Sequence, residues 1–91
     1  MKIVVDRDYE GAPEPSGDAA TGLISAALVA FEDQFEASEP EAVVVADDSE
    51  LALAAALVAT KLLIPLEATA EATAAESPNG RVLAQLATQA S

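Results

Sequence analysis

The stretch from Glu41 to Ala46, EAVVVA, constrains this chain more than any other. It is an apolar, β-branched run with no alternation of polar residues. A strand wetted on one side alternates, whereas a strand without alternation is expected to be buried on both faces, as in a parallel sheet covered by helices. Parallel neighbours need a crossover, and the sequence offers one. The cap-rich cluster Asp47-Asp48-Ser49-Glu50 is followed by an Ala, Leu and Val segment over residues 51–62. That segment is a helix apolar nearly all round, so more than one of its faces is expected to be covered.

The rest of the chain repeats the alternation. Ile3-Val4-Val5 reads as a short strand. Residues 9–17, YEGAPEPSG, carry two Gly and two Pro and read as a loop, with Ser16 or Asp18 available to cap the helix after it. Over residues 19–37 the larger apolar residues Leu23, Ile24, Leu28, Phe31 and Phe35 form a helical stripe, weakened slightly by Gly22 and closed by Pro40. Leu63-Ile64-Pro65-Leu66 reads as a third strand, with Pro65 near its start or on an edge. Residues 68–77 read as a loop or a frayed helix. Ser77-Pro78 has the form of an N-cap with Pro at the first helical position, opening a helix over residues 79–89 with Leu83, Leu86 and Ala90 inward.

The expected fold class is therefore α/β: a small three-layer Rossmann-like βαβαβα unit with a three-stranded parallel sheet. Its 91 residues make one domain. The two sheet edges and the Ala-rich helices are expected to be covered by a second copy or a protein partner.

Composition removes whole classes of chemistry. The chain has no Cys and no His, which leaves no thiolate nucleophile, no Ser-His-Asp triad and no zinc site of the usual N/S type. Lys and Arg number 4 against 16 Asp and Glu, a net charge of -12. Nucleic acid is thereby excluded as a partner, because phosphate contacts need a basic face. An anionic membrane surface would repel the chain. Its longest apolar run, residues 51–66, is broken by Thr60, Lys61 and Pro65 and falls short of the roughly 20 residues of a spanning helix. The start, MKIVVD, meets an acid too early for a secretory signal, so the expected location is cytoplasmic. With 52% hydrophobic residues the chain is expected to fold despite its acidity. Two readings of the acidity compete: a surface that attracts a basic protein, or adaptation to a salt-rich cytoplasm. Scarce Lys and acids spread along the whole chain favour the second.

The sharpest chemical candidate is the turn Asp47-Asp48-Ser49. In open α/β sheets, ligands sit at the carboxyl ends of strands, where helix N-termini point their N–H groups. An Asp there can act as a base or bind a sugar hydroxyl. The same residues can equally serve as helix caps. Two adjacent acids repel phosphate, and no Gly-rich phosphate loop occurs. Asp6-Arg7-Asp8 comes after the first strand and reads as a solvated loop with a local ion pair. Asp6, Asp8, Asp47 and Asp48 together would be oxygen ligands for a divalent cation, but their spacing matches no EF-hand-type loop, and no metal or cofactor is expected. Arg81 stands near a helix N-terminus, as a partner for Glu76 or a holder of an anionic ligand.

Residues 20–88 resemble an internal piece of the non-hydrolysing UDP-N-acetylglucosamine 2-epimerases. In that family a helix ending in Lys-Pro-Asp leads into a Val-rich strand, a Gly-Asp-Thr-Thr-Ser/Thr turn, an Ala-rich helix and Ile-Pro-Val. The matching stretch here runs from Glu39-Pro40-Glu41 through Val43-Val44-Val45-Ala46-Asp47-Asp48-Ser49 to Ile64-Pro65-Leu66. Asn79-Gly80-Arg81-Val82-Leu83, then Leu86-Ala87, resembles the family's later Asn-Arg-x-Leu and Leu-Ala. The resemblance implies a catalytic role for Asp48, which falls on the family's turn aspartate. It also implies ligand binding by Ser49 and Arg81. Asp47 stands where the family has Gly. Of the family's His-Val-Glu-Ala-Gly-Leu-Arg stretch at most Glu67-Ala68 is left, and its Gly-Thr-Arg-Pro-Glu motif and the second domain that grips UDP have no match here. The expected function is accordingly that of a catalytically incomplete, epimerase-like acidic protein acting through self-association or as a partner subunit. Two alternatives stand beside it. One is a half-site for a nucleotide sugar completed by another chain, with Asp48 as acid/base and Arg81 on the diphosphate. The other is a polysaccharide-binding module.

Overall fold

A computed structural model describes residues 1–10, 20–74 and 76–90, the side chains of 20–24 and of 89–90 excepted. The elements run in the order β1 (Lys2–Val5), α1 (Ala20–Ser38), β2 (Ala42–Val45), α2 (Glu50–Lys61), β3 (Leu66–Ala68) and α3 (Pro78–Ala90). The expected Ser16 or Asp18 cap, most of the expected 9–17 loop and the Leu23, Ile24 and Ala90 side chains lie outside the described residues.

The strands form one sheet in the order β1-β2-β3, parallel throughout. Lys2, Ile3, Val4 and Val5 pair with Ala42, Val43, Val44 and Val45. Val43, Val44 and Val45 pair with Leu66, Glu67 and Ala68. The βαβαβα order of a small Rossmann-like unit is thus realised.

The layering differs from the expected three. α2 packs against α1 on one side and α3 on the other, and also against all three strands. Helices in mutual contact cannot be separated by a sheet, so the three helices share one face. The cause is the strand order. Each right-handed crossover steps the same way across the sheet and so sets its helix on the same side. A second helical layer needs a reversal of strand order, and 1-2-3 has none. The overall extents, 34 × 33 × 19 Å, are those of a slab two layers thick.

The core lies between sheet and helices. Ile3, Val43 and Leu66 form one row of inward residues, and Val5, Val45 and Ala68 the next. Above them Ala52, Ala54, Ala55, Ala56 and Ala59 of α2 are wholly buried. Alanine on several faces lets two neighbouring helices and the sheet approach one central rod. Phe31 and Phe35 of α1 fill the remaining space, stacked with centroids 5.4 Å apart. Tyr9 closes on Phe31 and donates its hydroxyl hydrogen bond to Gln34.

The third strand begins later than the expected 63–66. Leu63 takes a left-handed φ of 63° as the residue after the C-cap of α2. Ile64 N–H donates to the Ala59 carbonyl and Leu63 N–H to that of Thr60. These two bonds end the helix in a Schellman arrangement. Residues 63 and 64 are thus spent on stopping α2. Pro65, without an N–H, gives only its carbonyl to Val43, and pairing starts at Leu66. α1 stops by the related single-bond device, with Glu39 at φ 48° donating to the Phe35 carbonyl ahead of Pro40.

Candidate functional site

β1 and β2 end side by side, and their register continues past the last paired residues. Val5 lies opposite Val45, so Arg7 arrives opposite Asp47. Asp47 keeps the inward parity of Val43 and Val45 and is buried. Its Oδ2 accepts from Arg7 N–H and Arg7 Nε, each at 3.1 Å, and its Oδ1 accepts from Ser49 N–H at 3.0 Å. Burial by itself would push the Asp47 pKa up. The hydrogen bonds from Ser49 and Arg7 together outweigh that and hold it below the ordinary carboxylate value. The hydrogen bond and charge of Asp47 raise the Arg7 pKa in return. Both carboxylate oxygens of Asp47 are thus occupied in closing the turn.

Ser49 sits one step further as the N-cap of α2, with φ -70° and ψ 164°, and its Oγ accepts from Ala52 N–H at 3.2 Å. Asp48 is half-buried, and its carbonyl accepts from Asn79 Nδ2 at 3.1 Å. The same Asn79 amide donates to Glu50 Oε1 at 3.1 Å. Asn79 therefore fastens the first turn of α3 to that of α2. Ser77 caps α3 as expected, its Oγ accepting from Gly80 N–H. A Cβ on Gly80 would fall 2.1 Å from the Ala74 carbonyl oxygen, so only glycine lets α3 approach the preceding turn.

The structure gathers Asp48 and Ser49 at the start of α2 and brings the first turn of α3 to the same end. Arg81 stands there too, two residues past Asn79, and is exposed. Among the described residues no ion pair joins Arg81 to Glu76 or to any other acid; the cations that do pair are Lys2, Arg7, Lys61 and the N-terminus. Asp6 is taken up locally, its Oδ1 accepting from Asp8 N–H at 2.9 Å. Among the described residues no group of three or more carboxylates is placed to hold a metal ion. Among the described residues, one open groove runs along Leu28, Val29, Leu57 and Lys61 and another along Phe35, Glu39 and Ile64. Neither includes Asp48, Ser49 or Arg81.

The resemblance singles out Asp48; residue types alone leave Asp47 and Asp48 side by side in the turn, give Arg7 a local ion pair rather than Asp47, and pass over the Asn79 and Glu50 side chains. The missing signal is parity: counting by twos from Val43 and Val45 leads to Asp47. Strand order 1-2-3 also removes the reversal at which open α/β sheets form a ligand crevice.

Among the described residues no helix is long and apolar enough to cross a membrane. No family model matches the chain. No curated protein and no solved structure matches it.

Proposed function

We propose that this chain is an acidic, non-catalytic module that works through self-association. One observation carries the reading: a parallel sheet, which ordinarily needs both faces covered, has, among the described residues, helices on one face only. The carboxylate most firmly held at the strand ends, Asp47, is already bonded within the fold. The likeness to the sugar-nucleotide epimerases then lies in a shared strand-turn-helix scaffold rather than in a shared cleft. The charge of -12 belongs to the same proposal, as adaptation to salt that screens repulsion between copies. Light scattering over a range of protein concentration and salt tests it. A mass rising toward twice that of the chain, most readily at high salt, is expected. A single-chain mass at every condition overturns the reading.

The half-site reading has one observation in its favour, the meeting of the α2 and α3 N-termini through Asn79. Thermal unfolding with UDP-N-acetylglucosamine decides it. Ligand at about 100 times its Kd adds about 2.7 kcal/mol, and an unchanged midpoint at saturating sugar nucleotide removes it.

A further inference from the structure

Asn79 is the only asparagine of the chain, and Gly80 follows it directly. The fold needs both residues. The Asn79 amide donates to the Asp48 carbonyl and to Glu50 Oε1, each at 3.1 Å, and so ties α3 to α2. Gly80 is buried against the Ala74 carbonyl, where no Cβ fits. Packing thus sets side by side two residues that make a chemically short-lived pair. With no Cβ on the residue after it, an asparagine amide lies open to attack by that residue's backbone nitrogen.

The fold holds this attack back at three points. The Gly80 nitrogen keeps its proton in a bond to Ser77 Oγ at 3.1 Å. The atom that would leave, Asn79 Nδ2, is the one held by Asp48 and Glu50. Ring closure also needs rotation of the Asn79 backbone, which the first turn of α3 fixes in helical geometry. All three restraints belong to the start of α3, which among the described elements packs only on α2 and β3. Opening of that helix end lifts them together.

We propose that Asn79-Gly80 is a self-modification site, closed in the folded chain and opened when α3 lifts from α2. In the open chain the Gly80 nitrogen loses its proton to solvent and bonds to Asn79 Cγ. The Cγ–Nδ2 bond breaks, and ammonia leaves with a proton from solvent. Water then opens the five-membered imide at either carbonyl, leaving an aspartate or an isoaspartate at position 79. Neither product restores the clamp. An aspartate sets acceptors against the Asp48 carbonyl and a like charge against Glu50. An isoaspartate adds a methylene to the backbone within the first turn of α3. Each opening that runs to product is therefore irreversible and leaves α3 looser. The site is independent of the self-association reading.

The test follows wild-type chain, folded at high salt and, separately, unfolded in urea at the same pH. Peptide mass spectrometry reads the gain of one mass unit at Asn79. The unfolded chain is expected to modify more than about tenfold faster. Ser77→Ala, once a melt shows it folded, is expected to modify about fivefold faster than folded wild type, the change in open population that loss of an N-cap brings. Freshly prepared Asn79→Asp is expected to melt below wild type. Adding Glu50→Gln to it is expected to recover part of the loss, because the new amide donates to the new carboxylate. Folded wild type that modifies as fast as unfolded chain, no modification in urea, or Asn79→Asp that melts with wild type overturns the proposal.

Discussion

The two faces of the sheet are made from the same strands and have opposite fates. Going inward, Val5, Val43 and Val45 are fully excluded from water beneath α2. Going outward, Val4 is more exposed than buried and Lys2 and Glu67 bridge in solvent. Valine occurs on both sides, so residue type does not set the difference. Strand order does, by sending every crossover to one side. Energy is concentrated accordingly: stability resides on the inner face.

The contrast is easiest to break with a charge. Val45→Asp buries a carboxylate without a partner among apolar side chains and is expected to cost more than about 4 kcal/mol, enough to abolish cooperative melting. A folded Val45→Asp chain would mean that the inner face is not dry. Asp47→Ala comes next, at about 2–3 kcal/mol, because it leaves the part-buried backbone N–H groups of Arg7 and Ser49 unpaired. Its pH dependence sharpens the assignment. The folded pKa of Asp47 lies below its ordinary value, so its contribution is complete above that value and fades as pH falls through the folded one. Urea midpoints are therefore expected to drop less on acidification in Asp47→Ala than in wild type. Gly80→Ala ranks third at about 1–3 kcal/mol, since its methyl must displace the Ala74 backbone. Val4→Ala is expected to change stability by less than about 0.5 kcal/mol in the dilute monomer. A large loss there would show that the outer face is already covered within one chain.

Much of this was legible in the residues. The β-branched runs, the cap cluster before α2 and Ser77-Pro78 marked the alternation, because each is a local signal with a local cause. The layering was not legible from Val43-Val44-Val45 alone. An apolar run reports that both faces avoid water somewhere, not that one chain covers both. The start of β3 was missed because Leu63 and Ile64 read the same whether they close a helix by backbone bonds or open a strand. At the strand ends the choice between Asp47 and Asp48 depended on inward parity and on the β1–β2 register. Both are properties of pairing rather than of composition. Arg81 was selected by its charge, and no ion pair of the described residues uses it.

Valine methyl relaxation by a soluble paramagnetic probe, tracked from dilute to concentrated protein, reads both faces at once. Methyls of Val5, Val43 and Val45 should be shielded at every concentration. Val4 should relax strongly when dilute and lose that exposure as copies associate. Val4 shielded in the dilute chain, or equally exposed after the mass has doubled, would contradict the account.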